Sequence, residues 1–582
     1  MLEYSRVVIT YSDVYGKTLP LSEAVARLKL FPLDPLLQLL SRADCTLAFL
    51  DVNKEDTAQK ILIQELLTPE QRKDLKTALL RISRDPSRRT KHLVFHELQI
   101  LNAIKLALLH CEDSVSEVPK DLTAIGEALL ILNDHLAPAE FRSQSLRAVP
   151  KEKQEELMRS HLIQTMTFHQ GVRIAAFMSR WHDLIFLDAE LCKGRPGYRN
   201  LLSDLSNITG LDGMLFYYLG HLLLAHWLRI TDENAGAENP VLSVPDWFTA
   251  KFNLPLEELE PTFDQFCISR EAIRTEFERR REWEAYFFLP MQARPILRSG
   301  NLAFCLSKRF LAEKLGPGMY HTVLGGQPNR TQGDLFLTYF GYVFESYVHR
   351  LFLRIFPPST ALVQRYLWDV RHPETNQQIA DGIIVYEGSL VLIETKATLF
   401  PIAVLASGDP IAINDKLEAI IFHSARQLNT LIGFIRAGKL AHLGLEPRTI
   451  KRFFPLVVSL QFVPLEHLLY NYIMETISKQ GCFRNRTDPT KGDPQVAPLQ
   501  IASVADLERL ETALADGMSL VEILSKKTSN ESLSCETFGN FLFSQMPQLI
   551  SHHNPYLQER FKVLTSEVIN FAQTRERITP AT

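Results

Sequence analysis

Asp381, Glu394 and Lys396 combine the side-chain types and the spacing that phosphate chemistry requires. They lie in IADGIIVY (379–386), EG (387–388) and SLVLIETKA (389–397), which read as two strands around a tight turn. The β-branched and apolar runs 383–386 and 390–393 favour extended backbone, and Glu387-Gly388 supplies the turn. Side chains two apart on a strand share a face, so Glu394 and Lys396 project together. The chain runs down one strand and back up the next, which returns Asp381 to the same end. Two carboxylates and a lysine at the rim of an apolar sheet outline a metal and phosphate site. Phosphodiester hydrolysis needs a nucleophilic water and relief of charge on phosphorus and on the leaving oxygen, and a divalent cation serves the last two.

The elements that must position these residues follow from patterning on either side. The segment 334–356 reads as a helix carrying Glu345 and closed by Pro357-Pro358. A strand over 360–370 precedes the two strands already described. After Pro401, 414–435 reads as a helix and FPLVVSLQF (454–462) as a strand. The order is helix, three strands, helix, strand, and a helical crossover is how a parallel strand is normally added. With Asp381 followed by the Glu-x-Lys of Glu394-Thr395-Lys396, the region resembles the PD-(D/E)XK nuclease superfamily over about a third of the chain. Ala380 stands where that motif has its proline, and Glu-x-Lys is intact.

The resemblance implies a restriction-endonuclease-like αβββαβ core. In it Asp381 and Glu394 ligate Mg2+, with Mn2+ able to substitute, and the Thr395 carbonyl is a candidate third ligand. Lys396 would orient the attacking water, act as base or neutralise phosphate. Glu345, in GYVFE (341–345), matches a further acidic position of the superfamily, and Gln427, in SARQL (424–428), the polar residue that often follows the motif. Between 419 and 455, Arg426, Arg436, Lys439, Arg448, Lys451 and Arg452 face only Glu446, and this basic stretch is the expected contact for nucleic-acid phosphates. DNA is favoured over RNA as substrate, and a homodimer follows from the habit of this fold to cut both strands.

At 582 residues the chain is too long for one core. The expected fold class is multidomain α + α/β: a mainly helical region over 1–290, a connecting hairpin, helix and loop over 291–330, the nuclease-like domain over 331–510 and a helical tail over 511–582. A net charge of −4 gives no global sign of a nucleic-acid partner, so any such surface is local. Seven scattered cysteines with no CxxC argue against zinc ribbons and disulfide frameworks, and a reducing cytoplasm fits them. The most apolar segment, 213–228, is shorter than a membrane span and reads as a core helix, and its His221 and His226 are not spaced as HExxH zinc ligands.

Further helices are expected at 93–109, 122–136, 152–164, 172–181 and 269–287, and Thr68-Pro69-Glu70-Gln71 is a capped helix start. The basic runs 81–91 and 279–281 read as solvated helix ends, 325–333 (GGQPNRTQG) as a linker, and 481–494 as a polar loop. No G-x-x-x-x-G-K-[ST] occurs, so any motor acting with this chain, an NTPase or sensor, is a separate protein. The functional expectation is a cytoplasmic metal-dependent nuclease whose helical half senses or binds a partner, to gate activity or to recruit, with an anti-phage role by analogy of layout alone. The alternatives are a nuclease fold kept as a non-cutting scaffold, and an RNA-cleaving effector.

Overall fold

The computed structural model describes residues 5–49, 52–82, 90–112, 121–136, 150–169, 173–229, 240–251, 256–279, 284–358, 364–483, 494–549 and 554–574. Most of the basic run 81–91, part of 279–281, nearly all of the loop 481–494 and the start of the expected strand 360–370 lie outside the described residues. The architecture is helical with two mixed sheets, an α + α/β arrangement.

The larger sheet has six strands. Arg365–Arg371, Gln378–Tyr386 and Ser389–Lys396 are consecutive and antiparallel. Arg452–Ser459 then joins Ser389–Lys396 in parallel, with Arg452 opposite Ser389 and Ser459 opposite Lys396. Gln495–Val496 and Gln500–Ser503 extend the sheet in parallel beyond it. The turn between the second and third strands closes on Gly388 at φ 68°, a left-handed conformation that glycine adopts without steric cost.

Both faces of this sheet are covered, which is why its strands are near-continuous apolar runs. Ile384, Val391, Ile393, Phe454, Leu456 and Val458 share a core with Phe340, Phe344 and Val348 of the long helix Arg330–Ile355 and with Leu507 and Leu510 of Val504–Ala515. The opposite face, including Ile383, Leu392 and Val457, packs with Leu428, Leu431 and Ile435 of His423–Arg436. That helix continues Pro410–Leu417 through a π-helical turn at Glu418–Phe422, so the expected single helix over 414–435 is longer and locally widened.

The linker expected at 325–333 is absent. Pro317–Gly325 is a helix, and Arg330–Ile355 begins four residues earlier than its apolar spacing indicates. The cause is Asn329, whose side chain caps the Gln332 amide, so Arg330, Thr331 and Gln332 form a polar first turn.

The helical half contributes to three cores, since Ile163 is buried with Ile383 and Leu392 on the second sheet face. The other two are larger. One joins residues between 9 and 136 to residues between 268 and 310. The other runs from the helices Ile174–His182 and Gly213–Leu228 through the long helix and one sheet face to Pro555–Thr574. These cores cross positions 290, 330 and 510; the buried Val504, Leu507, Leu510 and Leu514 recur at helical spacing straight through the last. The expected hairpin forms at Ile296–Ser299 and Leu302–Cys305, joined by Val241–Ser243 and Cys267–Ser269 into a four-stranded sheet. The two added strands have three residues each, too few for alternation to be legible.

Among the described residues no single helix is long and apolar enough to cross a membrane. The pair Leu201–Thr209 and Gly213–Leu228 reaches that length together but bends by 98°. Leu215, Phe216, Leu219 and Trp227 of Gly213–Leu228 are buried in the protein core.

Candidate active site

The antiparallel pairing of Gln378–Tyr386 with Ser389–Lys396 begins at Tyr386 opposite Ser389 and stops at Gly382 opposite Ile393. Beyond that point the two strands part, and Asp381 and Thr395 face each other across the opening. The Thr395 amide donates to Asp381 Oδ2 at 2.6 Å and its hydroxyl donates to the same oxygen at 2.7 Å. Lys396 Nζ donates to Glu394 Oε1 at 2.8 Å and to Gln427 Oε1 at 2.9 Å. Gln378 Nε2 donates to Glu345 Oε1 at 2.6 Å and to Asp381 Oδ1 at 3.0 Å. The structure thus brings Asp381, Glu394, Thr395, Lys396, Glu345 and Gln427 together from two strands and two helices.

Two members of the cluster carry no sequence signal that marks them. Gln378 sits in the polar run Asn376-Gln377-Gln378 and gains its role only by bridging two carboxylates. Asp369 stands opposite Asp381, because Trp368 pairs with Gly382 and Val370 with Ala380. Its φ is 49°, beside a register shift at Val370/Arg371, and Arg371 holds its Oδ2 at 2.9 Å and 3.0 Å. A bulge next to a functional cluster re-aims side chains, and a carboxylate inside an apolar strand is the only hint the sequence holds.

Electrostatically the cluster is short of positive charge. Burial, then Asp381, pushes the Glu394 carboxyl up to about 8, and the ion pair with Lys396 offsets only part of this. Burial, then Asp381, likewise raises Glu345 to about 7 against the Gln378 hydrogen bond. Asp381 is raised by burial, with the Thr395 amide and hydroxyl opposing. Hard oxygen donors that repel one another suit Mg2+ or Mn2+, and Glu345 Oε2 and Glu394 Oε2 accept no hydrogen bond among the described residues. No three His, Cys, Asp or Glu side chains among the described residues already converge as a closed cage.

A pH dependence follows. Glu345 and Glu394 are raised in the folded state above the ordinary 4.5, so the folded chain binds more protons than the unfolded one between about 4.5 and 8. Stability then falls as pH rises through that window. Melting temperature in chelator is expected to drop from pH 5 to pH 8 more steeply in wild type than in Glu345→Gln/Glu394→Gln. Equal slopes would count against the coupled carboxylates.

The basic stretch divides. Arg426 adjoins Gln427, and its guanidinium is held by Glu418 and by Gln480 Oε1 at 3.0 Å. Arg452 pairs opposite Ser389, at the turn end of the sheet, whereas Lys396 pairs opposite Ser459. Seven residues of strand separate them, roughly 23 Å. Lys451 lies against Gly388. Arg436 donates to the Pro494 carbonyl beside Gln495, Arg452's strand neighbour, and Arg448 precedes Thr449, whose carbonyl lies beside Gly388. Lys439 instead lies 5.1 Å from the Phe434 ring, which meets His372. Four of the six expected phosphate contacts, Arg436, Arg448, Lys451 and Arg452, are therefore at the turn end, remote from the carboxylates.

The helix carrying Glu345 is anchored by buried ion pairs. Arg350 binds Asp183 at 2.9 Å and Asp188 at 2.7 Å, both fully buried, and Ser346 donates to Asp188 at 2.9 Å. Arg560 and Tyr556 of the C-terminal helix reach the same Asp183. Glu508 takes Arg180 at 2.7 Å and the Tyr347 hydroxyl at 2.7 Å.

No protein-family model matches this chain, and no curated protein matches it.

Proposed function

We propose that this chain is a metal-dependent nuclease that hydrolyses phosphodiester bonds of nucleic acid, DNA before RNA, on a restriction-endonuclease-like core. The observation that carries the reading is the convergence of Asp381, Glu394 and Lys396 with Glu345 and Gln427 where two strands of the sheet part. The order of a long helix, three antiparallel strands, a helix and a parallel strand supports it.

Asp381 and Glu394 would hold Mg2+, with Glu345 outside them, and the cation would supply charge neutralisation at phosphate and a more acidic bound water. Thr395 occupies Asp381 Oδ2 with two donors, which leaves Oδ1 and its single Gln378 contact as the exchangeable side. The Gln378 amide donates into both Glu345 and Asp381, where a cation would place a full positive charge. Lys396 has three N–H donors and spends two on Glu394 and Gln427, so the third is available to a water or a phosphate oxygen. The ammonium is thereby aimed.

The test is incubation of the full chain with Mg2+ or Mn2+ and with supercoiled plasmid, linear duplex, single-stranded DNA and RNA. Metal-dependent cleavage of at least one is expected. Absence of cleavage together with absence of metal binding by calorimetry would sink the proposal.

A further inference from the structure

The basic stretch 426–452 leaves the carboxylates with little positive charge beside them, yet a polyanion must approach that centre. A cation of the helical half lies against the helix that carries Glu345. The loop 192–200 (CKGRPGYRN) lies along the first turns of the long helix, on the segment leading to Glu345. Cys192 Sγ donates to the Tyr342 carbonyl at 3.3 Å, and the Tyr198 ring meets Tyr339 edge-on at 5.6 Å. Gly197, at φ 78°, approaches so closely that a Cβ would lie 2.9 Å from the Leu335 carbonyl oxygen. Arg199 donates to Gln332.

The loop's three cations differ in what they touch. Lys193 pairs with Glu190 at 3.0 Å, and Arg199 with Asp204 at 3.4 Å. Arg195 is exposed and has no carboxylate in ion-pair range among the described residues. Its guanidinium lies 5.1 Å from the Tyr342 ring centroid, one helical turn before Glu345, and its charge is felt at Glu345. An aromatic-backed guanidinium with a free edge presents a planar donor fork that matches phosphate oxygens.

We infer that Arg195 contacts the sugar–phosphate backbone of the nucleic acid beside the scissile position, so that the helical half completes the substrate surface of the sheet. The inference rests on the nuclease reading above. Its ligand chemistry is the phosphodiester, common to DNA and RNA, and the two are separated by the probes.

The experiment measures binding of one fluorescein-labelled sequence, as duplex DNA, single-stranded DNA and RNA, to the full chain carrying Asp381→Asn. Salt is varied between about 50 and 200 mM. Adding Arg195→Ala is expected to weaken binding about 3- to 10-fold on the strand type that the native chain cleaves. It should also reduce the slope of log K against log salt by about 0.9 on duplex or about 0.7 on single strands, one phosphate contact. Arg195→Lys, which keeps the charge, should recover most of the slope. A purely structural role would shift the melting temperature and leave the slope alone. If the native chain cleaves and its Asp381→Asn form binds, but Arg195→Ala melts normally with unchanged affinity and slope, the inference is overturned and the nuclease reading stands. If the native chain neither binds nor cleaves any probe, both fall.

Discussion

Asp381→Asn is expected to reduce Mg2+-dependent cleavage by at least about 10³-fold, and Lys396→Ala by about 10²- to 10⁴-fold, with folding intact in both. Asparagine keeps the shape and one acceptor oxygen, so the Thr395 amide and hydroxyl retain a partner. It lacks the charge that a divalent cation needs. Lys396→Ala frees Glu394 Oε1 and Gln427 Oε1 together and removes the aimed ammonium. A charge-only role for Lys396 is separable from a positioning role. Lys396→Arg preserves charge but cannot place one nitrogen at both acceptors, so activity near wild type would favour charge alone. Initial rates under saturating metal provide the measurement. If Asp381→Asn cleaved at the native rate, Asp381 would have no place in the chemistry.

The largest expected effect on stability belongs to Arg350→Ala. Arg350 is the cation of Asp188, which is fully buried and, among the described residues, otherwise has only the Ser346 hydroxyl at 2.9 Å on its side chain. Asp183 retains Arg560 and Tyr556. Removing one partner of a buried pair leaves an uncompensated charge and costs about 3–5 kcal/mol. Burial already raises the Asp188 carboxyl against the pull of Arg350, and without Arg350 it rises further. A carboxyl raised in the folded state favours folding at low pH, so the deficit in melting temperature should shrink as pH falls from 8 to 5. A deficit independent of pH would show that lost packing, and not the orphaned carboxylate, is the cause. Ser346 and Arg350 follow Glu345 on one helix, so cleavage should also decline at temperatures where Arg350→Ala remains folded.

Much of the carboxylate site was legible because its signals are local. Ile383–Val385 and Leu390–Ile393 are strand formers either side of Glu387-Gly388, and a two-residue turn forces register, so Asp381 had to return to the level of Glu394. The helices at 334–356 and 414–435 announced themselves by their apolar patterning, the first also by Pro357-Pro358 at its end. The errors were local too. Arg330, Thr331 and Gln332 are polar, and only the capping bond from Asn329 reveals that they are helical. The basic stretch misled for a geometric reason: residues adjacent in a strand are separated along it by about 3.3 Å each, so Arg452 and Ser459 mark opposite ends of the sheet.

By itself the sequence determined the motif hairpin, the helix–strand order around it and the convergence of Asp381, Glu394 and Lys396, since backbone propensity and side-chain alternation act over a few residues. Only the tertiary structure decided that Gln378 bridges Glu345 and Asp381, that Asp369 opposes Asp381, and that Arg195 lies one turn from Glu345. It alone decided that the helical half and the C-terminal helix share Asp183 with Arg350. Those contacts join segments separated by tens to hundreds of residues. They are set by which apolar faces must be buried against each other, and no local pattern encodes that choice.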